Sequence, residues 1–257
     1  MSSVKKGVSA ALACLAVVVP MGDLRVLESD VQEALSCLAS EKGLTATAEG
    51  KVVEPMTKLE FESVICDGSG ADCKILLGVG HRSKSLLRMK NLRIYAFGLY
   101  ADPNLIRSQF GSKYKGVSPE DLRNNPQFYQ DVLTHECDLT VRLIVHFKGL
   151  TMDKVKEAFE GSLKRRLFKI TGREDHEELV KFSSYFNKPM KIKRGTTIDF
   201  RWHPGGKLST RIAGKQIGVI ESGVFCKAFF DMYVGDPPVL QSAKEEFGAN
   251  LARVLSC

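Results

Sequence analysis

Apolar residues recur at Val31, Ala34, Leu35, Leu38 and Ala39, the spacing of one helical face, and Gly43 follows as a stop signal. The pattern predicts an amphipathic helix over residues 29–42. Residues 44–57 carry little apolar periodicity and read as a linker, so the chain divides into an N-terminal part, 1–57, and a domain over 58–257. Extended segments open the domain. Leu59 and Phe61 alternate with polar neighbours, 74–78 is a short apolar run, and Leu92, Ile94, Ala96 and Leu99 lie in a longer stretch with Tyr95, Phe97 and Tyr100. Ser118-Pro119-Glu120-Asp121 starts a helix, with serine as cap, proline in the first turn and acids at the positive end of the dipole. Residues 138–147 alternate as a strand. Val155, Ala158, Phe159 and Leu163 mark a helix, and 174–186 another. Strands return at 190–202, 207–212 and 216–221, with a turn at Pro204-Gly205-Gly206, and helices close the chain at 223–233 and 242–255. This order predicts an α+β fold with helices on one face of an antiparallel sheet.

The 257 residues are 44% hydrophobic and 26% charged, an ordinary globular balance that can bury a full core. The net charge of +7 could favour nucleic acid or an anionic membrane. Both signs are interspersed, however, and no stacking-aromatic pattern accompanies Lys164-Arg165-Arg166 or the cluster from Lys188 to Arg194. A solvated surface is the reading, with no nucleic-acid partner. The seven cysteines are irregularly spaced and form no Cys-x-x-Cys pair, so free thiols in a reducing compartment are expected.

Residues 1–22 contain Lys5 and Lys6 and no acid before Asp23. The apolar run at 10–19 is too short to span a membrane as a helix. A plastid transit peptide, a secretory signal and an ordinary N-terminal helix compete. The cysteine pattern weighs against secretion, and a plastid destination is expected, with the cytoplasm as its alternative. Removal of 1–22, with Lys5 and Lys6, would take the charge from +7 to +5.

Common catalytic signatures are missing. Gly78-Val79-Gly80 follows a strand but lacks the third glycine of a dinucleotide loop, and Arg82 sits where a phosphate would approach. His176-Glu177 is followed by Val180 where a zincin needs its second histidine. No Gly-x-Ser-x-Gly elbow occurs. The five histidines are scattered, and neither a metal nor a cofactor is implied.

Arg82 and Tyr95 flank an expected turn at 88–91. If the flanks pair as a hairpin, a register sum of 177 or 181 puts both side chains on one face, and the first makes them direct cross-strand neighbours. A guanidinium fork beside a phenol makes a carboxylate receptor, with two parallel hydrogen bonds from the first and a third from the second. A structural Arg–Tyr stack at a sheet edge is the other reading.

The stretch Leu92-Arg93-Ile94-Tyr95-Ala96-Phe97-Gly98-Leu99-Tyr100-Ala101-Asp102 resembles the signature strand of the chalcone-isomerase family. Gly195 to Trp202 with Ile217 to Ser222, and the block from Phe229 to Val239, resemble its C-terminal motifs. The resemblance covers roughly 58–257. It implies an open-faced β-sandwich, an antiparallel sheet covered by a layer of helices, with the ligand cleft between them. True isomerases cyclise a chalcone by phenolate attack on an enone, and carrying their side chains over leaves Arg82 alone. Tyr95 replaces a strand threonine, Thr151 or Met152 a tyrosine, Ala158 an asparagine, and Met232 a late threonine or serine. The resemblance to the family's plant fatty-acid-binding branch implies a non-catalytic protein supporting fatty-acid metabolism. There Arg82 and Tyr95 hold the carboxylate, and Phe97, Phe159, Leu163, Phe225, Phe229 and Met232 are candidates for the walls around the tail. An intramolecular lyase built on Arg82 and Tyr95, and a non-catalytic partner of flavonoid enzymes, are the alternatives.

Overall fold

The computed structural model describes residues 29–39, 50–67, 72–86, 89–135, 138–187 and 190–257. The proposed targeting segment, Cys14 and Cys137 lie outside them. The elements run α1 (Ser29–Ala39), β1 (Lys51–Val53), β2 (Glu60–Glu62), β3 (Val64–Cys66), β4 (Cys73–Leu86), β5 (Met89–Ala101), α2 (Pro103–Tyr114), α3 (Pro119–Arg123) and α4 (Pro126–Val132). They continue through β6 (Leu139–Val145), α5 (Met152–Thr171), α6 (Glu177–Ser184), β7 (Thr197–His203), β8 (Lys207–Ile212), β9 (Lys215–Glu221), α7 (Gly223–Val234) and α8 (Gln241–Ser256).

Strands β3 to β9 form one antiparallel sheet in chain order, and β1 pairs with β2 alone. Because strand side chains alternate, each strand divides its chemistry between two faces. In β7, Ile198, Phe200 and Trp202 are buried, while Asp199 and Arg201 point the other way. The apolar face packs under α5, α6, α7 and α8, where Phe200 lies 4.6 Å from Phe229 and Phe182 lies 5.3 Å from Phe225. The opposite face is largely ionic. Arg142 forks onto Asp199 at 2.7 and 2.9 Å, and Arg201 bonds Asp138 and Asp72, which Lys74 also contacts. The small β1–β2 hairpin covers only one apolar patch there, around Leu76, Ala96 and Tyr100. The architecture is the expected α+β one, with a single helical layer.

The glycine pair of the failed nucleotide motif has a packing role. A Cβ at Gly78 would come within 2.9 Å of the Ala243 carbonyl oxygen, and one at Gly80 within 2.7 Å of Phe97 and 2.9 Å of Ala243. Helix α8 therefore sits directly on the backbone of β4. A bulge falls between Leu76 and Gly78, beyond the last residue paired with β3. Side chains of α8 satisfy the groups left over: Asn250 donates to the Leu77 carbonyl at 2.8 Å, and Glu246 accepts from the Val79 amide at 2.9 Å.

Three expectations change. Residues 190–196 are not strand, and β7 begins only at Thr197. The expected linker holds β1, whose Val52 is buried against Phe61 across the hairpin. Beyond it, buried Glu54 accepts hydrogen bonds from the Thr57 amide and hydroxyl at 2.7 and 2.6 Å, and pairs with His81 of β4 at 3.0 Å. A boundary at 57/58 thus separates pieces that pack together. The free-thiol reading also fails in part, because Cys37 is bonded to Cys257 and Cys66 to Cys73. Cys66 and Cys73 are direct partners across β3 and β4, and α1 lies against α8, which ends at Ser256. Spacing along the chain carries no trace of either meeting. Buried Val31, Ala34 and Leu38 join α1 to the main core. Leu38→Ala should therefore cost about 2–3 kcal/mol, measured by chemical denaturation, and an unchanged midpoint would show α1 to be separable.

Candidate functional site

Strands β4 and β5 meet with Arg82 opposite Tyr95, in the register that sums to 177. The register then slips. Arg82 pairs with Tyr95 but Ser83 pairs with Arg93, so Ile94 is bulged out of the ladder. A bulge of this kind re-aims side chains, and here both Ile94 and Tyr95 face the same space, which strict alternation forbids. The Ile94 carbonyl accepts from the His146 and Phe147 amides, both at 3.0 Å, which anchors the bulge to the end of β6.

That space is a cavity of about 480 Å³ between the sheet and the helices, within the range of roughly 300–1,000 Å³ that small-molecule sites occupy. The sheet contributes Leu92, Ile94, Leu143, Val145 and Ile198. Thr151 caps α5 at its start, and the helix then presents Val155, Ala158, Phe159 and Ser162 to the cavity at helical spacing. From Lys154 to Arg165 this face runs about 16 Å along the axis. Helix α7 adds Met232, and the loop after it adds Val239. An Arg166–Asp231 ion pair at 2.8 Å and an Arg166 bond to the Pro237 carbonyl at 2.7 Å lock that loop to α5. Exposed Lys84, Lys154 and Arg165 line the cavity with one acid, Glu157.

Arg82 is half-buried in this mostly apolar wall and has no acidic partner within ion-pair distance among the described residues. Tyr95 is its electrostatic neighbour. Of the six proposed tail residues, Phe159 and Met232 line the cavity. Phe97, Leu163, Phe225 and Phe229 lie in the packed core instead, one layer away. The walls missed in the sequence, Leu143 and Val145, are the cross-strand partners of Phe97 and Tyr95. Their alternation was visible, but nothing short of the β5–β6 register tells which face they join. Thr151 serves as a helix cap, Met152 is buried, and Ala158 and Met232 stand on the cavity wall without polar atoms.

A family model described as "Chalcone isomerase like" matches residues 74–248. The chain belongs to the chalcone-isomerase-like family. It is 37% identical over 210 residues to Fatty-acid-binding protein 1 of Arabidopsis thaliana, covering 82% of this chain and 74% of that one. It is 37% identical over 204 residues to Fatty-acid-binding protein 2 of the same plant, covering 79% of this chain but only 51% of the relative. The chain therefore spans about half the length of that second relative. The crystal structure of an Arabidopsis thaliana fatty-acid-binding protein superposes with a TM-score of 0.72 at 37% identity, over 80% of this chain and 98% of that one. The family match begins at β4, so the α1 helix and the β1–β2 hairpin that pack onto this chain lie outside it.

The described histidines have structural partners. His81 pairs with Glu54, His203 with Ser209 at 2.7 Å, and His176 with the Arg173 carbonyl at 3.0 Å. Asp72, Asp102 and Asp138 cluster on the ionic face. Lys74 and Arg201 neutralise the first and last, and Asp102 caps α2. Burial pushes the phenols of Tyr95, Tyr100, Tyr129 and Tyr233 above their usual value of about 10. A raised folded-state value means that the stabilisation is complete below the unfolded value and is lost as pH rises through the folded one. The thermal midpoint should therefore be level near neutrality and fall above about pH 10; a level profile well beyond that would contradict the burial of these phenols.

Proposed function

We propose that the chain binds a long-chain fatty acid without chemical turnover, the carboxylate on Arg82 and Tyr95 and the tail in the cavity between β5–β7 and α5. The observation that carries this reading is the half-buried Arg82, which has no acidic partner among the described residues and faces an apolar cavity. A buried cation is costly unless paired, and a carboxylate supplies the pair. A charge-assisted hydrogen bond is worth ~1.5–3 kcal/mol, and each buried methylene ~0.8 kcal/mol, before ordering costs. The head sets orientation and the tail supplies most of the affinity. Similarity to the two Arabidopsis fatty-acid-binding proteins supports the ligand class. Exposed Lys84, Lys154 and Arg165 along the cavity would steer an anion inward.

An isomerase needs polar side chains where Ala158 and Met232 stand, and apolar ones position neither water nor an oxyanion. Purified protein should leave a chalcone cyclising at its spontaneous rate. An acceleration abolished by Arg82→Ala would restore the lyase alternative.

Arg82→Ala should weaken acid binding strongly, and Tyr95→Phe by nearer ~1 kcal/mol, while the methyl ester of the same acid binds poorly and loses little further on Arg82→Ala. Gly161→Leu is the complementary test. A Cβ there meets nothing within 4 Å, and glycine inside a helix costs roughly 0.5–1 kcal/mol relative to alanine. The substitution should keep or raise stability while intruding on the cavity and weakening binding, both read by calorimetry. Unchanged binding in Arg82→Ala and Gly161→Leu would remove the ligand from this cavity.

Plastid import is proposed from the acid-poor N-terminus. A fluorescent fusion of residues 1–57 that stayed in the cytosol or entered the secretory path would refute it.

A further inference from the structure

The chain has six tyrosines. Four have settled hydrogen bonds: Tyr100 donates to Glu62, Tyr114 to Asp131, Tyr129 to Arg123 and Lys244, and Tyr185 to Val219. The remaining two, Tyr95 and Tyr233, interact with each other and with Arg82, and the Tyr233 ring meets Phe97, two residues along β5 from Tyr95. Tyr233 lies on α7 next to Met232 and is only 1% exposed. Its oxygen is buried and, apart from its interaction with the Tyr95 hydroxyl, has no hydrogen-bond partner. Buried phenols nearly always find a partner, and the exceptions need a reason. Steric accident is a poor one. The ring is clamped edge-on by Phe97 at 5.1 Å and packed against Phe229 at 5.9 Å, so the hydroxyl is held where it is.

We infer that Tyr233 is the positioning residue of the carboxylate receptor: it donates to the Tyr95 oxygen, so that Tyr95 gives its own proton to the ligand. This rests on the fatty-acid reading and deepens it. Each phenol has one proton and can accept another. A chain from Tyr233 to Tyr95 to carboxylate uses every donor once, and linked hydrogen bonds in a low-dielectric site reinforce one another. Burial keeps both groups as phenols, so both protons are present throughout the neutral range. Tyr233 is poised to donate, and Tyr95 turns its proton inward only when an anionic acceptor arrives. An ester or an alcohol offers a weaker acceptor and no charge for Arg82. The consequence is selection of a free carboxylate over neutral lipids. Phe97, which does not line the cavity, acquires a function in holding the Tyr233 ring.

The test uses the full chain with Tyr233→Phe, Tyr95→Phe and the double variant, and titrates tetradecanoate and methyl tetradecanoate by calorimetry beside thermal unfolding. Phenylalanine keeps the ring contacts with Phe97 and Phe229 and removes a single hydroxyl, so Tyr233→Phe is expected to unfold close to wild type. It should weaken tetradecanoate roughly three- to tenfold and leave the ester unchanged. The double variant should be no weaker than Tyr95→Phe, because Tyr233 acts through Tyr95. Three results would overturn the inference: tetradecanoate bound as in wild type, equal weakening of acid and ester, or additive losses in the double variant. If wild type captured neither acid nor ester, the fatty-acid reading would fall and this inference with it. A wild type that distinguishes them, with a Tyr233→Phe variant that does so equally well, overturns only the relay.

Discussion

The pairing of β4 with β5 is the constraint on which the rest depends. Three register shifts interrupt it, and the first two each have a distinct consequence. The first, at Leu77, leaves backbone groups that α8 satisfies through Asn250 and Glu246, and the adjacent glycines admit that helix at backbone contact. The second, at Ile94, sets Arg82 opposite Tyr95 and turns two successive residues toward the helices. Between them the register sum is constant, so the helix seat and the cavity wall are rigidly related through one strand pair.

The two faces of the sheet handle charge in opposite ways. On the outer face, Lys74, Arg142 and Arg201 are matched to aspartates, and the charges are internally settled. On the inner face, Arg82 has no acidic partner among the described residues, within a wall of aliphatic and aromatic side chains. An ionic lattice that neutralises itself supports a fold, whereas a half-buried cation without an acidic partner leaves its charge unmatched. That contrast sets Arg82 apart from Arg142 and Arg201 more clearly than sequence position does.

What surrounds Arg82 bears on the choice between catalysis and capture. A reacting enone needs donors placed where charge develops, whereas a fatty acid needs one polar end and a long apolar wall. Ala158 and Met232 supply wall. The aromatic cluster of Phe182, Phe200 and Phe229 packs behind the wall residue Phe159 and keeps α5 and α7 at a fixed separation from the sheet. The phenylalanines expected on the tail mostly serve in this second layer, where they shape the cavity without lining it.

Local information in the chain determined much of this. Period-two and helical spacing located most elements, because burial on one face imposes those periods directly. The Ser118-Pro119 start and the Arg82–Tyr95 adjacency were legible because caps and hairpin neighbours involve residues close in sequence. Tertiary structure alone decided the rest. The Cys37–Cys257 pair joins residues 220 apart, Val52 needs Phe61 across a hairpin hidden in an apparent linker, and Tyr233 meets Tyr95 from another layer. Which of twelve buried phenylalanines faces a cavity depends on how helices lie on a sheet to within a few ångströms. Hydrophobic pattern reports that a residue is inside, and only packing decides whether it has protein or empty space in front of it.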